Sequence, residues 1–120
     1  ELINKNLANM ENIHSRRVRK MLAFVEENYN KKIGMSDLVE LLDTSGTYLN
    51  QKFKEETGLT FNDYLNRYRI QKSIQMMKDG NKKITCIAVD VGFRDYKYFI
   101  DVFKKYIGMS PGKFMEYIGD

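Results

Sequence analysis

The sequence states one pattern twice, fifty residues apart. Tyr48-Leu49-Asn50-Gln51-Lys52-Phe53-Lys54, followed by Gly58, recurs as Tyr98-Phe99-Ile100-Asp101-Val102-Phe103-Lys104, followed by Gly108. In each copy, aromatic or aliphatic residues fall at i, i+1 and i+5, a stripe that must face a core if the segment is helical. The residues between them point the other way and differ between the copies. Such a chain must build two similar helices on similar supports, each with its own outward face.

The segments around the repeat read as helices too. From Ser15 to about Tyr29, Val18, Met21, Leu22 and Val25 recur at helical spacing. Asn28 to Gly34 is a polar connection, and Ser36 is the expected N-cap of a short helix with Leu38, Val39 and Leu42 inward. Asp43-Thr44-Ser45-Gly46 breaks that helix. The next runs from about Thr47 to Thr57, stopped by Gly58, with Tyr48, Leu49 and Phe53 on its buried side. Thr60 and Asp63 open the longest helix as in a capping box, and Gly80 closes it. Its apolar stripe changes sides: Phe61, Tyr64, Leu65 and Tyr68 share one face, whereas Ile70, Ile74 and Met77 lie roughly opposite. A helix patterned in this way can bury one end in each of two bundles, which makes it a connector.

After the connector the pattern returns. Ile84, Ile87, Ala88 and Val91 match Met35, Leu38, Val39 and Leu42 at an offset of 49, so the second copy has one extra residue in the turn Gly92-Phe93-Arg94-Asp95. Thr85 is the expected cap there. A helix from Asp95 to Ile107 ends at Gly108, and Ser110-Pro111 starts the last one. The expected fold is all-α, about seven helices, with two helix-turn-helix subdomains joined by a long connector helix. The expected divisions are a linker at 1–14 from a preceding domain, a first helix-turn-helix subdomain at 15–59, the connector at 60–80 and a second subdomain at 81–120.

A connector of about 19 residues rises about 28 Å at the α-helical pitch. This is close to the ~34 Å between major-groove faces on one side of B-DNA. One chain could therefore place two helices, about 47–57 and 95–107, in adjacent major grooves. The formal net charge of +4 permits a polyanionic partner, but the charges are spread without a dominant block.

The second-half motif, Ile84, Ile87-Ala88, Val91-Gly92-Phe93-Arg94-Asp95, Tyr98-Phe99, Phe103-Lys104-Lys105, Gly108-Met109-Ser110-Pro111 and Phe114, resembles the signature of AraC/XylS-type transcription regulators. The first half supports it with Tyr48-Leu49, Phe53-Lys54-Glu55-Glu56-Thr57-Gly58, Tyr64-Leu65 and Arg69. The resemblance covers about residues 16–118. It implies bacterial, cytoplasmic, sequence-specific binding of double-stranded DNA in transcription regulation. It also implies an upstream sensing or receiver domain, as in two-component response regulators, and RNA polymerase as a protein partner. Arg69 matches a position the family nearly always fills with Arg, where holding the connector to a neighbouring unit by hydrogen bonds is expected over DNA contact. Val39 and Ser73 stand where the family usually has Ala, and Asp101 stands where a basic or polar DNA-contacting group is frequent.

In the first recognition helix the candidate base contacts are Thr47, Asn50 and Gln51. Asn and Gln can bind adenine bidentately, and Thr can meet a thymine methyl. In the second they are Lys97, Ile100 and Asp101, where Ile100 suits a thymine methyl and Asp101 could accept from cytosine N4. Candidate backbone contacts are Ser45, Lys52, Lys54, Arg94, Tyr96, Lys104, Lys105 and Lys113. For these the alternative is an ordinary solvated face, for Ile100 a local packing contact, and for Ser45 a cap on its helix or a phosphate contact through the helix N-terminus.

Other classes find less support. One cysteine, Cys86, excludes an internal disulfide framework and reads as a small semi-buried side chain. One histidine, His14, leaves little for a catalytic triad or a metal site. No cofactor, no enzymatic activity and no membrane association are expected. A helical protein-interaction module without DNA binding is the alternative function.

Overall fold

The computed structural model describes residues 15–80 and 82–119; the expected linker at 1–14 lies outside them. Among the described residues there are seven α-helices and no strands: α1 (Arg16–Asn28), α2 (Met35–Leu42), α3 (Gly46–Thr57), α4 (Phe61–Asp79), α5 (Ile84–Asp90), α6 (Tyr96–Ile107) and α7 (Pro111–Gly119). The chain divides into two compact units. One comprises residues up to Glu27 with Ile33–Tyr64, the other Asn28–Lys32 with Leu65 onward. The division therefore falls inside α4, after its first turn.

The first unit forms around α1, α2 and α3. Val18, Met21, Val25, Leu38, Leu49 and Phe53 are wholly buried, and Phe61 nearly so. Phe53 meets Phe61 edge-on at 5.7 Å and Tyr64 at 5.6 Å between ring centres, the offset geometry that aromatic rings favour. Burial, reinforced by nearby Glu26, raises the Tyr64 pKa above its ordinary value.

The second unit closes over Ile70, Met77, Ile87, Ala88, Val91, Phe93, Phe99, Val102 and Phe103. Its extra turn residue has a structural use. Gly92 takes φ +105 and Phe93 returns its N–H to the Ala88 carbonyl at 3.0 Å, which buries the Phe93 ring 5.2 Å from Phe99. The Ser73 hydroxyl, fully buried, donates to the Ile70 carbonyl at 2.6 Å; Val39 is half-buried.

The stops and starts follow local chemistry. Ser45 Oγ accepts the Tyr48 N–H at 3.2 Å, Thr60 Oγ1 the Asp63 N–H at 3.1 Å, Asp95 Oδ1 the Lys97 N–H at 3.0 Å and Ser110 Oγ the Lys113 N–H at 3.2 Å. Each satisfies a donor that the helix itself leaves open. Gly58 and Gly108, at φ +80 and +88, end α3 and α6 in the left-handed conformation.

Four expectations are corrected. Ser36 is not a cap: α2 starts at Met35, two residues earlier than a Ser36 cap would place it, because Asp37 Oδ2 accepts the Gly34 N–H at 2.8 Å and makes Gly34 the cap. Thr85 lies inside α5, which starts at Ile84 behind Lys83 and so brings Ile84 against the core. Tyr48 is 39% exposed, since only Leu49 and Phe53 of its stripe point straight inward. Cys86 is exposed, away from the inward face that Ile87 and Ala88 form on α5.

Candidate nucleic-acid interface

On α3 the candidate residues share one solvent face. Thr47, Asn50, Gln51 and Lys54 are exposed, and Ser45 stands at the helix start with its hydroxyl engaged in the cap. Glu55 joins them: Gln51 Nε2 donates to its Oε1 at 3.4 Å, and Lys52 Nζ lies 3.8 Å from its Oε2. Bonds that long and exposed are weak, so Gln51 and Lys52 can exchange this carboxylate for another acceptor at little cost.

Tyr48 flanks that face. The Arg17 guanidinium, from the start of α1, sits over its ring at 5.5 Å, a favourable cation–π pairing. Sequence reasoning missed Arg17 and its neighbours Arg16 and Lys20. The signal was present as four cations, Arg16, Arg17, Arg19 and Lys20, within the first two turns of α1, a helix with no acid in its first turn.

On α6, Lys97, Asp101, Lys104 and Lys105 are exposed. Ile100 is only half-exposed and packs against the core of the second unit. Tyr96 lies nearly parallel to Phe99, with ring centres 6.1 Å apart. Arg94 projects from the turn before the helix, exposed. Lys105 Nζ sits 5.5 Å over the Tyr106 ring. Lys104 and Lys113 come together on a shallow depression of about 320 Å³, beside Gly108, Met109 and Ser110. Tyr98, 44% exposed, is tied from below: its hydroxyl accepts from Asn66 Nδ2 at 2.8 Å, and Asn66 is buried.

Arg69 is a support residue. Its Nε donates to the Tyr29 carbonyl at 2.7 Å and its Nη2 to the Lys31 carbonyl at 2.9 Å. It thus ties the α1–α2 loop to α4 by hydrogen bonds, within one unit rather than to a neighbouring one. Burial lowers its pKa, but a guanidinium stays charged at any ordinary pH.

The arrangement offers hydrogen-bonding and cationic groups on two capped helices. Among the described residues, no group of three or more His, Cys, Asp or Glu gathers to hold a metal ion. None of the described helices is long and apolar enough to cross a membrane. The family model described as a helix-turn-helix domain matches residues 38–117, which span α2 to α7. The chain belongs to the AraC-type helix-turn-helix family.

Over 97 residues this AraC-type domain is 43% identical to an uncharacterized response regulatory protein of Staphylococcus epidermidis. It is 41% identical over 97 residues to the transcriptional regulatory protein HptR of Staphylococcus aureus. Each match covers 81% of this chain but only 38% of the relative, so the chain spans well under half the length of these curated relatives. Among solved structures, it matches the C-terminal domain of the two-component response regulator yesN from Fusobacterium nucleatum with a TM-score of 0.78 and 35% identity. That match covers 84% of this chain and 99% of the other. The resemblance read from the second-half motif therefore holds, as does the all-α, doubled helix-turn-helix fold.

Proposed function

We propose that this AraC-type domain binds double-stranded DNA to regulate transcription, with α3 and α6 as recognition helices in adjacent major grooves. The observation that carries this reading is the repetition: two helices, each capped at its start by a side chain and stopped by a left-handed glycine, each hold polar groups outward over a buried apolar stripe. On α3, Thr47, Asn50 and Gln51 supply base contacts, with Ser45, Lys52 and Lys54 on phosphates. On α6, Lys97 and Asp101 reach bases, with Ile100 at the edge of that face, while Arg94, Tyr96, Lys104, Lys105 and Lys113 grip the backbone. The naming of HptR as a transcriptional regulatory protein supports the same reading. An upstream receiver domain fits the response-regulator relatives, and RNA polymerase fits a transcriptional role.

Selection of bound duplexes from a random DNA pool tests it. Two short motifs about 10 bp apart, one helical turn, are expected. One motif alone would restrict α6 to gripping the backbone. No binding even at low salt would defeat the reading in favour of a protein-interaction module.

A further inference from the structure

Beside α3, the first unit has a groove of about 510 Å³ that no residue of the candidate interface explains. Arg16, Arg17 and Lys20 of α1 line it, and Leu41, Asp43 and Tyr48 stand across from them. The three cations are exposed, and no ion pair engages them among the described residues. The cations also sit at the end of α1 where the helix dipole disfavours positive charge, with no acid in the first turn to offset it. Glu56 accepts from the Ser15 N–H at 2.5 Å, so its carboxylate serves the helix start. Among the described residues that line the groove, Asp43, at the left-handed end of α2, is the acid that opposes the three cations.

The groove adjoins the outward face of α3 through Tyr48. Residues three apart on a helix are neighbours, so Tyr48 stands beside Gln51. The Arg17 guanidinium lies over the Tyr48 ring, 5.5 Å from its centre; the contact holds the cation beside α3 and leaves it N–H donors for an anion. A helix seated in a major groove about 12 Å wide meets phosphates on either wall about 6 Å from its axis. The flank of α3 occupied by Tyr48 and Arg17 is where such a wall would lie.

We propose that Arg16, Arg17 and Lys20 form a further binding site, a clamp on the phosphodiester strand bordering the segment that α3 reads. This rests on the DNA-binding reading of α3. Tyr48 acts as its positioning residue by holding the Arg17 guanidinium over its ring. Leu41, 58% exposed, is the one feature of the groove that a protein partner would use better than DNA.

The test is binding of the whole chain to a selected duplex over a range of salt, with wild type and the triple variant R16Q/R17Q/K20Q. Each lost phosphate contact lowers the steepness of log K against log salt by about 0.9. Loss of all three is expected to flatten it by about 2.7 and to weaken binding about 100-fold near 0.15 M salt, alike on matched and scrambled sites. Methylphosphonates placed in the strand flanking the α3 motif give a second readout, independent of variant folding. They should weaken wild type and leave the triple variant unchanged. A triple variant with the wild-type slope, or equal sensitivity of both proteins to the neutral phosphates, overturns the clamp alone and gives the groove to a protein partner. Absence of DNA binding by wild type overturns the reading of α3 and the clamp together.

Discussion

Arg69 donates from Nε to the Tyr29 carbonyl at 2.7 Å, and that same carbonyl oxygen lies 2.4 Å from where a Cβ on Gly92 would stand. Three distant stretches of chain, the α1–α2 loop, the middle of α4 and the turn before α6, thus meet around one oxygen atom. The approach is possible because residue 92 has no side chain. The geometry couples the placement of α6 to a single guanidinium.

Removing that guanidinium should loosen the second unit. Arg69→Ala deletes two charge-assisted bonds and orphans the Tyr29 carbonyl, for an expected loss of about 2–4 kcal/mol. Arg69→Lys should recover less than half of it, because an ammonium cannot reproduce the planar two-carbonyl geometry. Urea unfolding followed by circular dichroism checks both; a loss below about 1 kcal/mol for Arg69→Ala would contradict the assigned role.

Gly92→Ala should cost about 2 kcal/mol or more, through a strained φ of +105 and a clash with the Tyr29 carbonyl and Arg69 Nε. In the Arg69→Ala background the penalty should shrink without vanishing, since one of the two clashing groups remains. A double-mutant cycle measures that coupling, and strict additivity would argue against a shared contact.

The parts of this fold legible in the sequence were those decided within one helical turn. Thr60 and Ser110 cap as their types suggest, and Gly58 and Gly108 stop their helices where a positive φ is needed, whereas Asp95, expected as the first helical residue, caps α6 instead. The split stripe of α4 was also legible, because Phe61 and Ile70 each had to be buried and could not share a face. What escaped depended on partners far along the chain or on a competing neighbour. Ser36 lost the cap to Gly34 because the Asp37 carboxylate reaches back to it. Tyr48, at a shoulder between the inward and outward faces, was assigned inward, and its exposure left a ring for Arg17, thirty-one positions earlier in the chain, to cover. Ile100 sits at a similar shoulder on α6 and turns partly inward.

Tyr98→Phe tests the tie beneath α6. It removes the acceptor of the buried Asn66 Nδ2, and an unsatisfied buried donor costs about 1–3 kcal/mol. Adding Asn66→Leu should restore most of that loss, because replacing both partners by apolar groups is nearly neutral. Hydrogen exchange of α6 amides should follow the same order, fastest in the single variant. If Tyr98→Phe and the double variant melt together with wild type, the bond contributes nothing to holding the helix.

The two kinds of DNA contact proposed for α3 and α6 should separate in one experiment. Gln51 presents an amide on the exposed face of α3, tied only by a 3.4 Å bond to Glu55. A bidentate amide–adenine pair distinguishes bases by about 1–3 kcal/mol, so Gln51→Ala should lose that much on the selected site and little on a scrambled one. Lys104, exposed beside Lys113, is a point charge with no geometric preference for a base. Lys104→Ala should therefore weaken both sites alike and flatten the salt dependence by about 0.9. Titrations of both variants on both duplexes at several salt concentrations make the comparison. Equal losses on the two sites for Gln51→Ala would place α3 on the backbone rather than on the bases, and specificity would then have to come from α6 or from DNA shape.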